Sequence, residues 1–271
     1  MTQAFDEYVR VAYAGKAEAY ARSYASLCAA PAGELLDAAE VTAGTALLDV
    51  GTGTGTVARL ALNRGARVAA VDAERSMVET TRAHVPDVRL GSLPDLPFLD
   101  GAFDAVVANF VVNHVADPVA SLAGMARVAR PGGTVAVTIW SGTSTAASTF
   151  FGDAMEAAGV PQAAAPRLDP AHDFARTRDG LAGVLSAAGL DEVAAREVFW
   201  VHRVDPEVWW SGPASGVAGM GWQFGRQPAE AVERIKTAYD RIVAPHRAAD
   251  GLLEIPVTAI LAGGRVPAAT A

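Results

Sequence analysis

The segment Ala46-Leu47-Leu48-Asp49-Val50-Gly51-Thr52-Gly53-Thr54-Gly55 decides the fold of this 271-residue chain. Its apolar first half predicts a β-strand. Its glycines predict a tight turn into a helix, because glycine takes positive φ and lets a ligand approach the backbone. Asp72 follows 21 residues after Gly51, where the second strand of a βαβ unit ends and a carboxylate can face ribose hydroxyls. The segment therefore predicts a ligand site at the start of an α/β domain.

Apolar and helical segments alternate along the rest of the chain. Strands are expected at 46–50, 67–72, 87–90, 104–109, 133–140, 193–204 and 252–261, with a frayed tail beyond Gly263. Helices are expected near 5–30, 33–40, 54–64, 74–84, 117–129 and 178–188, and a loop with a short helix over 141–177. This alternation predicts an α/β fold with a doubly wound, mostly parallel seven-stranded sheet covered by helices on both faces.

Three units follow from this pattern. Residues 1–45 form an N-terminal helical cap, and residues 46–204 and 251–265 form the core. Residues 205–250 form a helical insertion before the last strand, in which Val232, Ile235, Tyr239 and Ile242 mark one helical face.

Composition narrows the class of protein. Hydrophobic residues make up 51% of the chain, no apolar run approaches membrane-span length, and the first residues do not resemble a signal peptide. A cytoplasmic protein with a full core is expected. The single cysteine, Cys28, excludes an internal disulfide. The net charge of −8 gives no electrostatic reason to bind nucleic acid. A neutral or cationic small molecule is the expected partner, and monomer and homodimer both stay open.

The glycine turn favours a cationic ligand over a dinucleotide. The third glycine comes one position too early for a dinucleotide fingerprint, and Thr56 stands in its place. Asp49 would repel a diphosphate and suit an ammonium. S-adenosylmethionine (SAM) carries an ammonium, a sulfonium and no phosphate. The alternative is a turn that binds nothing, which is common for an isolated glycine motif.

With these motifs the chain resembles a class I SAM-dependent methyltransferase, in the small-molecule branch of the ubiquinone/menaquinone-biosynthesis type. The resemblance is good over roughly 45–140 and rests on five segments in order. They are Asp49 to Gly55, Asp72 with Met77, Gly91-Ser92-Leu93-Pro94-Asp95-Leu96-Pro97-Phe98, Phe103 to Asn109 with Val112-Asn113-His114-Val115, and Arg127 to Gly133.

The resemblance implies SAM as cofactor and S-adenosylhomocysteine as its product. The residues that it implies for cofactor binding are Asp49, Gly51, Thr52, Gly53, Gly55, Asp72, Ala73, Met77, Ser92, Leu93, Asn109 and Tyr20, with Tyr24 as the alternative to Tyr20. Ser92 stands where such sequences usually carry an Asp for the adenine amino group, and a hydroxyl accepts that hydrogen bond more weakly. Nucleic-acid amino-methyltransferases carry two prolines after strand four, which Asn109-Phe110-Val111-Val112 lacks.

His114 is the candidate catalytic base. It follows strand four on the side of the sheet where ligands gather in this fold. The competing interpretation makes His114 a wall of the pocket with no proton to transfer. His202 is expected to be a surface or packing residue, and His172 and His246 have no assigned place. No cluster has metal-ligand spacing, so no metal is expected. Tyr13 and Leu27 are expected in the core.

Aromatic residues mark the expected acceptor pocket. Trp140 ends strand five, and Trp209, Trp210 and Trp222 lie among glycines in the insertion. Large apolar groups on a glycine-jointed segment indicate a mobile lid over an apolar acceptor. A packed subdomain core and a dimer patch are the alternatives.

Transfer of a methyl group from SAM to a small, partly apolar metabolite is therefore the expected reaction, with O-methylation ahead of C- or N-methylation. A quinone-like, phenol-like or polyketide-like acceptor follows from the aromatic insertion. A SAM-binding cyclase or decarboxylase on the same scaffold is the alternative. A binding protein that has lost the cofactor is a third, which the intact Asp49, Gly51, Gly53 and Asp72 disfavour.

Overall fold

One seven-stranded sheet organises the described part of the chain. The computed structural model describes residues 2–142 and 146–268. The strands follow the order β3-β2-β1-β4-β5-β7-β6. Their bounds are β1 (Ala46–Val50), β2 (Arg67–Asp72), β3 (Val88–Leu90), β4 (Phe103–Asn109), β5 (Ala129–Trp140), β6 (Asp191–Val204) and β7 (Leu253–Arg265). Strands β1 to β5 pair in parallel, and β7 lies antiparallel between β5 and β6. The predicted doubly wound, mostly parallel seven-stranded sheet is confirmed.

Twelve helices in the described residues surround the sheet. They are α1 (Thr2–Tyr13), α2 (Ala17–Ser23), α3 (Ala25–Ala29), α4 (Ala32–Ala38), α5 (Thr56–Asn63), α6 (Arg75–Arg82), α7 (Pro118–Val128), α8 (Ala146–Ala157), α9 (Arg178–Ala187), α10 (Pro206–Ala214), α11 (Ala218–Phe224) and α12 (Ala229–Val243). None of these helices has the length and apolar character needed to cross a membrane.

Burial on both faces explains the apolar strands. Leu47 and Leu48 of β1 point to opposite faces and are both fully buried, as expected for a central parallel strand. Leu48 joins a cluster with α7 and α9, and Leu47 joins a second cluster with α4 and α5. The two clusters hold β1 and β4 in the middle of the molecule, so the loops at their carboxyl ends have a rigid base.

Several predicted bounds are corrected. The helix expected at 5–30 is three helices, interrupted at Gly15, whose φ is +70°, and at Tyr24. Strand β5 begins at Ala129, because Ala129 pairs with Phe103 before a register shift in the ladder. Strand β7 continues to Arg265, so the frayed tail expected beyond Gly263 is wrong in the described residues. The Arg265 side chain bonds Glu40 and Glu192 there.

Helices of the cap and of the insertion contact each other. Tyr8 of α1 packs edge-on against Trp222 of α11, with ring centroids 5.3 Å apart. Tyr24 packs in the same way against Trp209 of α10, also at 5.3 Å. Helix α4 does not join this cap, because its Leu35 and Leu36 are fully buried against the sheet. The cap proposed over 1–45 therefore consists of α1, α2 and α3.

Candidate functional site

A cavity of about 1350 Å³ lies between the carboxyl ends of the central strands, the cap and the insertion. Ligand pockets usually measure about 300–1,000 Å³, so this cavity has room for two ligands side by side. Its wall includes the glycine turn and Asp72 on one side and Trp140 and Trp209 on the other. In open α/β sheets ligands bind at the carboxyl ends of the parallel strands, which is where this cavity lies.

The turn after β1 is held by Asp72. The carboxylate of Asp72 accepts hydrogen bonds from the backbone N–H of Gly53 at 2.8 Å and of Glu74 at 2.9 Å. Each oxygen keeps lone pairs for further donors, such as ribose hydroxyls. Burial raises the pKa of Asp72 to about 6 despite those backbone bonds. A ligand carrying positive charge would stabilise the ionised form.

Glycine is required in this turn for two reasons. Gly51, Gly53 and Gly55 all have positive φ, between +56° and +82°. A Cβ on Gly51 would lie 2.3 Å from a methyl carbon of Val111, so the loop after β4 packs directly on the turn. A Cβ on Gly53 would lie 3.7 Å from the ring of Tyr20. Gly51 and Gly53 line the cavity, and Thr52 and Gly55 do not.

Asp49 does not contact the cavity, and the expectation of direct ligand contact is revised. Its side chain is buried beneath the turn and accepts from Thr52 Oγ1 at 2.7 Å and from the Ala58 N–H at 3.1 Å. Burial raises its pKa to about 7, and those two bonds oppose the rise. Asp49 therefore ties the glycine turn to α5, and its charge acts on a ligand through the turn.

A second group of predicted residues lines the cavity beside Asp72. This group contains Ala73, Met77, Ser92 and Leu93. Met77 is buried, whereas Ser92 is exposed at the rim. An apolar side chain and a rim hydroxyl in these places can enclose an adenine ring, as the resemblance implies.

The cap closes the cavity with Tyr20 and Tyr24, both of which line it. Asn109 at the end of β4 anchors this cap. Its Nδ2 donates to the carbonyl of Cys28 at 2.8 Å, and its Oδ1 accepts from Thr138 Oγ1 at 2.6 Å. The structure thus places Asn109 on the cavity wall with both ends of its amide already bonded. Its observed contacts hold α3 against the sheet.

His114 lies on the cavity wall at the end of a short 3-10 turn, Val112–His114. Its Nε2 lies 3.4 Å from the hydroxyl of Tyr13, and the two rings pack edge-on with centroids 5.5 Å apart. Burial lowers the pKa of His114 to about 4, so the imidazole is neutral near pH 7. Tyr13 was expected in the core, and its place on the cavity wall corrects that expectation.

The far end of the cavity is aromatic. Phe110, which has φ of +58°, stacks on Trp140 with ring centroids 3.8 Å apart and planes inclined by 14°. Trp209 and Phe151 complete this end. The Phe110–Trp140 pair thus forms a flat apolar face at the carboxyl ends of β4 and β5.

Only part of the predicted tryptophan set reaches the cavity. Trp140 and Trp209 line it. Trp210 is buried in a cluster with Phe151, Phe224 and Tyr239, and so belongs to a packed core. Trp222 packs between Tyr8 and Arg226 outside the cavity wall. The packed-subdomain alternative therefore describes Trp210 and Trp222 better than the lid.

Three other histidines, His172, His202 and His246, do not line the cavity. His202 is buried and packs against Trp209 at a centroid distance of 5.8 Å, as expected of a packing residue. His172 pairs with Asp117 at 3.2 Å, and His246 packs near Phe150. In the described ranges, 2–142 and 146–268, no group of three or more His, Cys, Asp or Glu side chains is placed to hold a metal ion.

Sequence reasoning missed several wall residues. Phe110 and Val111 follow β4 and would have been found by asking what comes after Asn109. The insertion also reaches the cavity through Ala218 and Gln223, which no motif marks. Gln223 exchanges two hydrogen bonds with the backbone of Ala163, a tertiary contact that has no signature in the sequence.

Comparison with known proteins agrees with this geometry. A methyltransferase domain family matches residues 48–137. The chain is 33% identical over 174 residues to a demethylmenaquinone methyltransferase of Beutenbergia cavernae, covering 60% of this chain and 72% of the relative. It is 37% identical over 121 residues to an uncharacterized 37.1 kDa protein in a Streptomyces fradiae transposon, covering 42% of this chain and a third of the length of that protein. The YcgJ protein of Bacillus subtilis has the same fold, with a TM-score of 0.53 at 21% identity over 87% of this chain and 97% of that protein.

The cavity at the carboxyl ends of the strands, with the glycine turn and Asp72 on its wall, lies where open α/β sheets bind their ligands. With the family match and the relative from Beutenbergia, the chain belongs to the class I SAM-dependent methyltransferases.

Proposed function

We propose that this enzyme transfers a methyl group from SAM to a hydroxyl of a small, planar, largely apolar molecule such as a phenol, an enol or a reduced quinone. The single observation that carries the proposal is the stacked Phe110–Trp140 pair, which adjoins the cofactor side of one continuous cavity. A planar acceptor that lies against this face would gain aromatic packing.

The cavity wall supports a proposed cofactor position. Asp72 would receive the ribose hydroxyls, Met77 and Leu93 would enclose the adenine, and Gly51 and Gly53 would admit the methionine portion. Tyr20 would cover it from the cap. SAM supplies an activated methyl group on sulfur, and the protein supplies the geometry of its approach to the acceptor. Holding two reactants in line can lower a barrier by up to about 7–11 kcal/mol.

The charges on the cavity wall favour a neutral acceptor. The charged wall residues are Arg10, Asp72, Glu74 and Asp117. Arg10 is already paired with Glu7. Among the wall residues that the structure describes, three carboxylates and one paired guanidinium give a phosphate or carboxylate on the acceptor no free cation to bind.

His114 supports an acidic hydroxyl as the attacked group. In this step the acceptor oxygen would form a bond to the methyl carbon, the carbon–sulfur bond would break with its electrons going to sulfur, and the proton would go to the imidazole of His114. A base whose pKa is about 4 accepts a proton poorly from an ordinary alcohol. A phenol or enol is more acidic and needs less help. The name of the Beutenbergia relative, a demethylmenaquinone methyltransferase, supports a quinone-type acceptor as the first class to test.

The deciding experiment measures S-adenosylhomocysteine release with SAM and a panel of matched acceptors. The panel pairs each phenol or hydroquinone with its O-methyl ether and with a carboxylated analogue. We expect release with the free hydroxyl and no release with the ether. Release that is unaffected by blocking the hydroxyl would refute O-methylation and favour a carbon or nitrogen acceptor.

A further inference from the structure

Strand β6 forms one edge of the sheet and is unusually long for an unprotected edge. It spans 14 residues and pairs only with β7. In the described residues no hydrogen bond reaches its outer side from another element. Edge strands are usually guarded by charged side chains, above all lysines, by prolines or by bulges. Residues 194–204 contain no lysine and no proline, and the register shift in β6 lies before them, between Asp191 and Ala194. The charged residues of this part of β6 are Arg196, Glu197 and Arg203.

One face of this edge exposes apolar side chains. From Glu197 to Val204 exposure alternates along the strand, as the two-residue period of a strand requires. Phe199 and Val201, which are 65% and 47% exposed, share the outward face with Glu197 and Arg203. Helix α9 packs against the start of β6, around Val193 and Ala195, and leaves this part of the face uncovered. An exposed Phe beside an exposed Val indicates an interaction surface.

We propose that β6 pairs with β6 of a second copy of this chain, antiparallel and about a two-fold axis through Trp200. In that register, the numbers of any two residues that lie opposite each other add up to 400. Phe199 then lies opposite Val201 of the second copy, and Glu197 lies opposite Arg203 of the second copy. Side chains directly opposite each other in an antiparallel pair project on the same face with Cβ atoms about 4.5–5.5 Å apart.

The sequence selects this register over its neighbours. A shift by one residue would put the exposed face against the buried face. Moving the axis by one position toward the C-terminus keeps the same faces together but places Phe199 opposite Arg203 and Glu197 opposite Asp205. Moving it by one toward the N-terminus places Glu197 opposite Val201. Only the axis at Trp200 matches apolar with apolar and acid with base.

Arg203 can serve both copies. It pairs with Asp250 at 2.5 Å and with Glu254 at 3.2 Å within its own chain. Asp250 and Glu254 hold the guanidinium of Arg203 on the outward face of β6. The guanidinium has five N–H donors, so it can bind one more carboxylate. Glu197 is exposed and has no ion pair among the described residues. In a two-fold dimer every contact occurs twice, so the Phe199–Val201 and Glu197–Arg203 pairs would each form on both sides of the axis.

Light scattering across a concentration series tests the dimer. We expect wild type to have the mass of two chains and Phe199→Asp to have the mass of one, because the variant buries two unpaired carboxylates at the axis. Leu99→Asp is the matched control, since Leu99 is 82% exposed and lies elsewhere. It should keep the two-chain mass. SAM affinity and circular dichroism should be unchanged in Phe199→Asp, which separates loss of the dimer from loss of the fold.

Cysteine cross-linking tests the register. The variant Phe199→Cys/Val201→Cys should form a disulfide-linked dimer on mild oxidation, because directly opposite Cα atoms are about 4.5–5.5 Å apart. Each single variant should stay uncross-linked, because equivalent cysteines lie diagonally at about 7–8 Å. A one-chain mass for wild type, or a two-chain mass for Phe199→Asp, would overturn the proposal. Equal cross-linking of single and double variants would overturn the register.

Discussion

The hydroxyl of Tyr13 lies 3.4 Å from Nε2 of His114, across a sequence separation of 101 residues. This contact joins the first helix of the cap to the turn after β4, at the place where the cofactor side of the cavity meets the aromatic end. Burial raises the pKa of Tyr13 above its usual value and lowers that of His114 to about 4. Both groups are therefore neutral near pH 7, and Tyr13 can donate to His114 and hold its ring in one orientation.

Substitution of His114 should lower turnover and leave SAM binding nearly unchanged. If the imidazole of His114 takes the acceptor proton, His114→Ala should reduce kcat by about 10²–10⁴-fold, the usual contribution of a positioned base. Calorimetric affinity for SAM should change by less than threefold, because His114 is not in the proposed cofactor contacts. Equal loss of both quantities would show that His114 only supports the wall.

Tyr13→Phe separates positioning from proton transfer in the same pair. It keeps the ring packed on His114 and removes the hydroxyl, so kcat should fall by less than in His114→Ala. Double-mutant coupling between the two changes is expected, since one acts through the other. Additive effects would show that the hydroxyl contacts the acceptor and not the imidazole.

Removal of the Asp72 carboxylate should weaken SAM binding. Asp72→Ala loses two backbone hydrogen bonds and the proposed ribose contacts, and about 1–3 kcal/mol of binding free energy is expected to be lost. Asp95→Ala is the control, because Asp95 is exposed and does not line the cavity. Unchanged calorimetric affinity in Asp72→Ala would remove the ribose assignment.

The two buried carboxyls should make stability and binding depend on pH in opposite directions. Burial raises the pKa of Asp49 to about 7 and of Asp72 to about 6, both from 3.8. Between about pH 4 and 7 these two carboxyls bind more protons in the folded protein than in the unfolded chain, so their contribution to the free energy of unfolding falls as pH rises. His114, whose pKa is lowered by burial, binds fewer protons in the folded protein and contributes in the opposite direction. SAM is cationic and favours the ionised carboxylates, so its affinity should rise between pH 5 and 7.

Thermal melts from pH 4 to 8, with and without SAM, measure both effects. The comparison with Asp49→Asn isolates one carboxyl from the other titrating groups. The stability of wild type relative to Asp49→Asn should fall as the pH rises from 4 to 7, because wild type then has to ionise a buried carboxyl whose pKa is raised. A difference between the two proteins that stays constant or grows over this window would contradict the raised pKa of Asp49.

Local patterns allowed the central sheet to be predicted, together with several residues that the structure places on one side of the cavity. The glycine turn, Asp72 and Met77 lie within one βαβ unit, where spacing along the chain fixes spacing in the fold. Phe103 to Asn109 then adds the neighbouring strand, because parallel strands end at one edge. These residues line or support the cavity as expected.

The other side depends on contacts between distant segments. The position of Trp210 could not be predicted, because its burial depends on Phe224 and Tyr239, which come from two further helices. The position of Tyr13 on its helix is typical of a core residue. The chain turns at Gly15, and Tyr13 lies on the cavity wall instead. Asp49 is an acidic residue, as a contact to a cationic ligand would require. The direction of its side chain, however, depends on a hydrogen bond that the N–H of Ala58 on α5 donates to it.

Trp140 and Trp222 should respond differently to the same substitution. Trp140 stacks on Phe110 at the aromatic end of the cavity, whereas Trp222 packs against Tyr8 outside the wall. Trp140→Ala should raise the KM for a planar acceptor about two- to tenfold, because ring stacking of this kind is worth about 0.5–1.5 kcal/mol beyond burial of the ring. SAM affinity should stay within twofold.

Trp222→Ala should leave acceptor KM near that of wild type and lower the melting temperature instead, since it removes a contact between cap and insertion. The comparison decides between the wall that the structure defines and the tryptophan lid expected from the sequence. If Trp222→Ala raised acceptor KM as much as Trp140→Ala while both kept SAM affinity, the insertion would have to close on the acceptor through Trp222, and the lid interpretation would be restored.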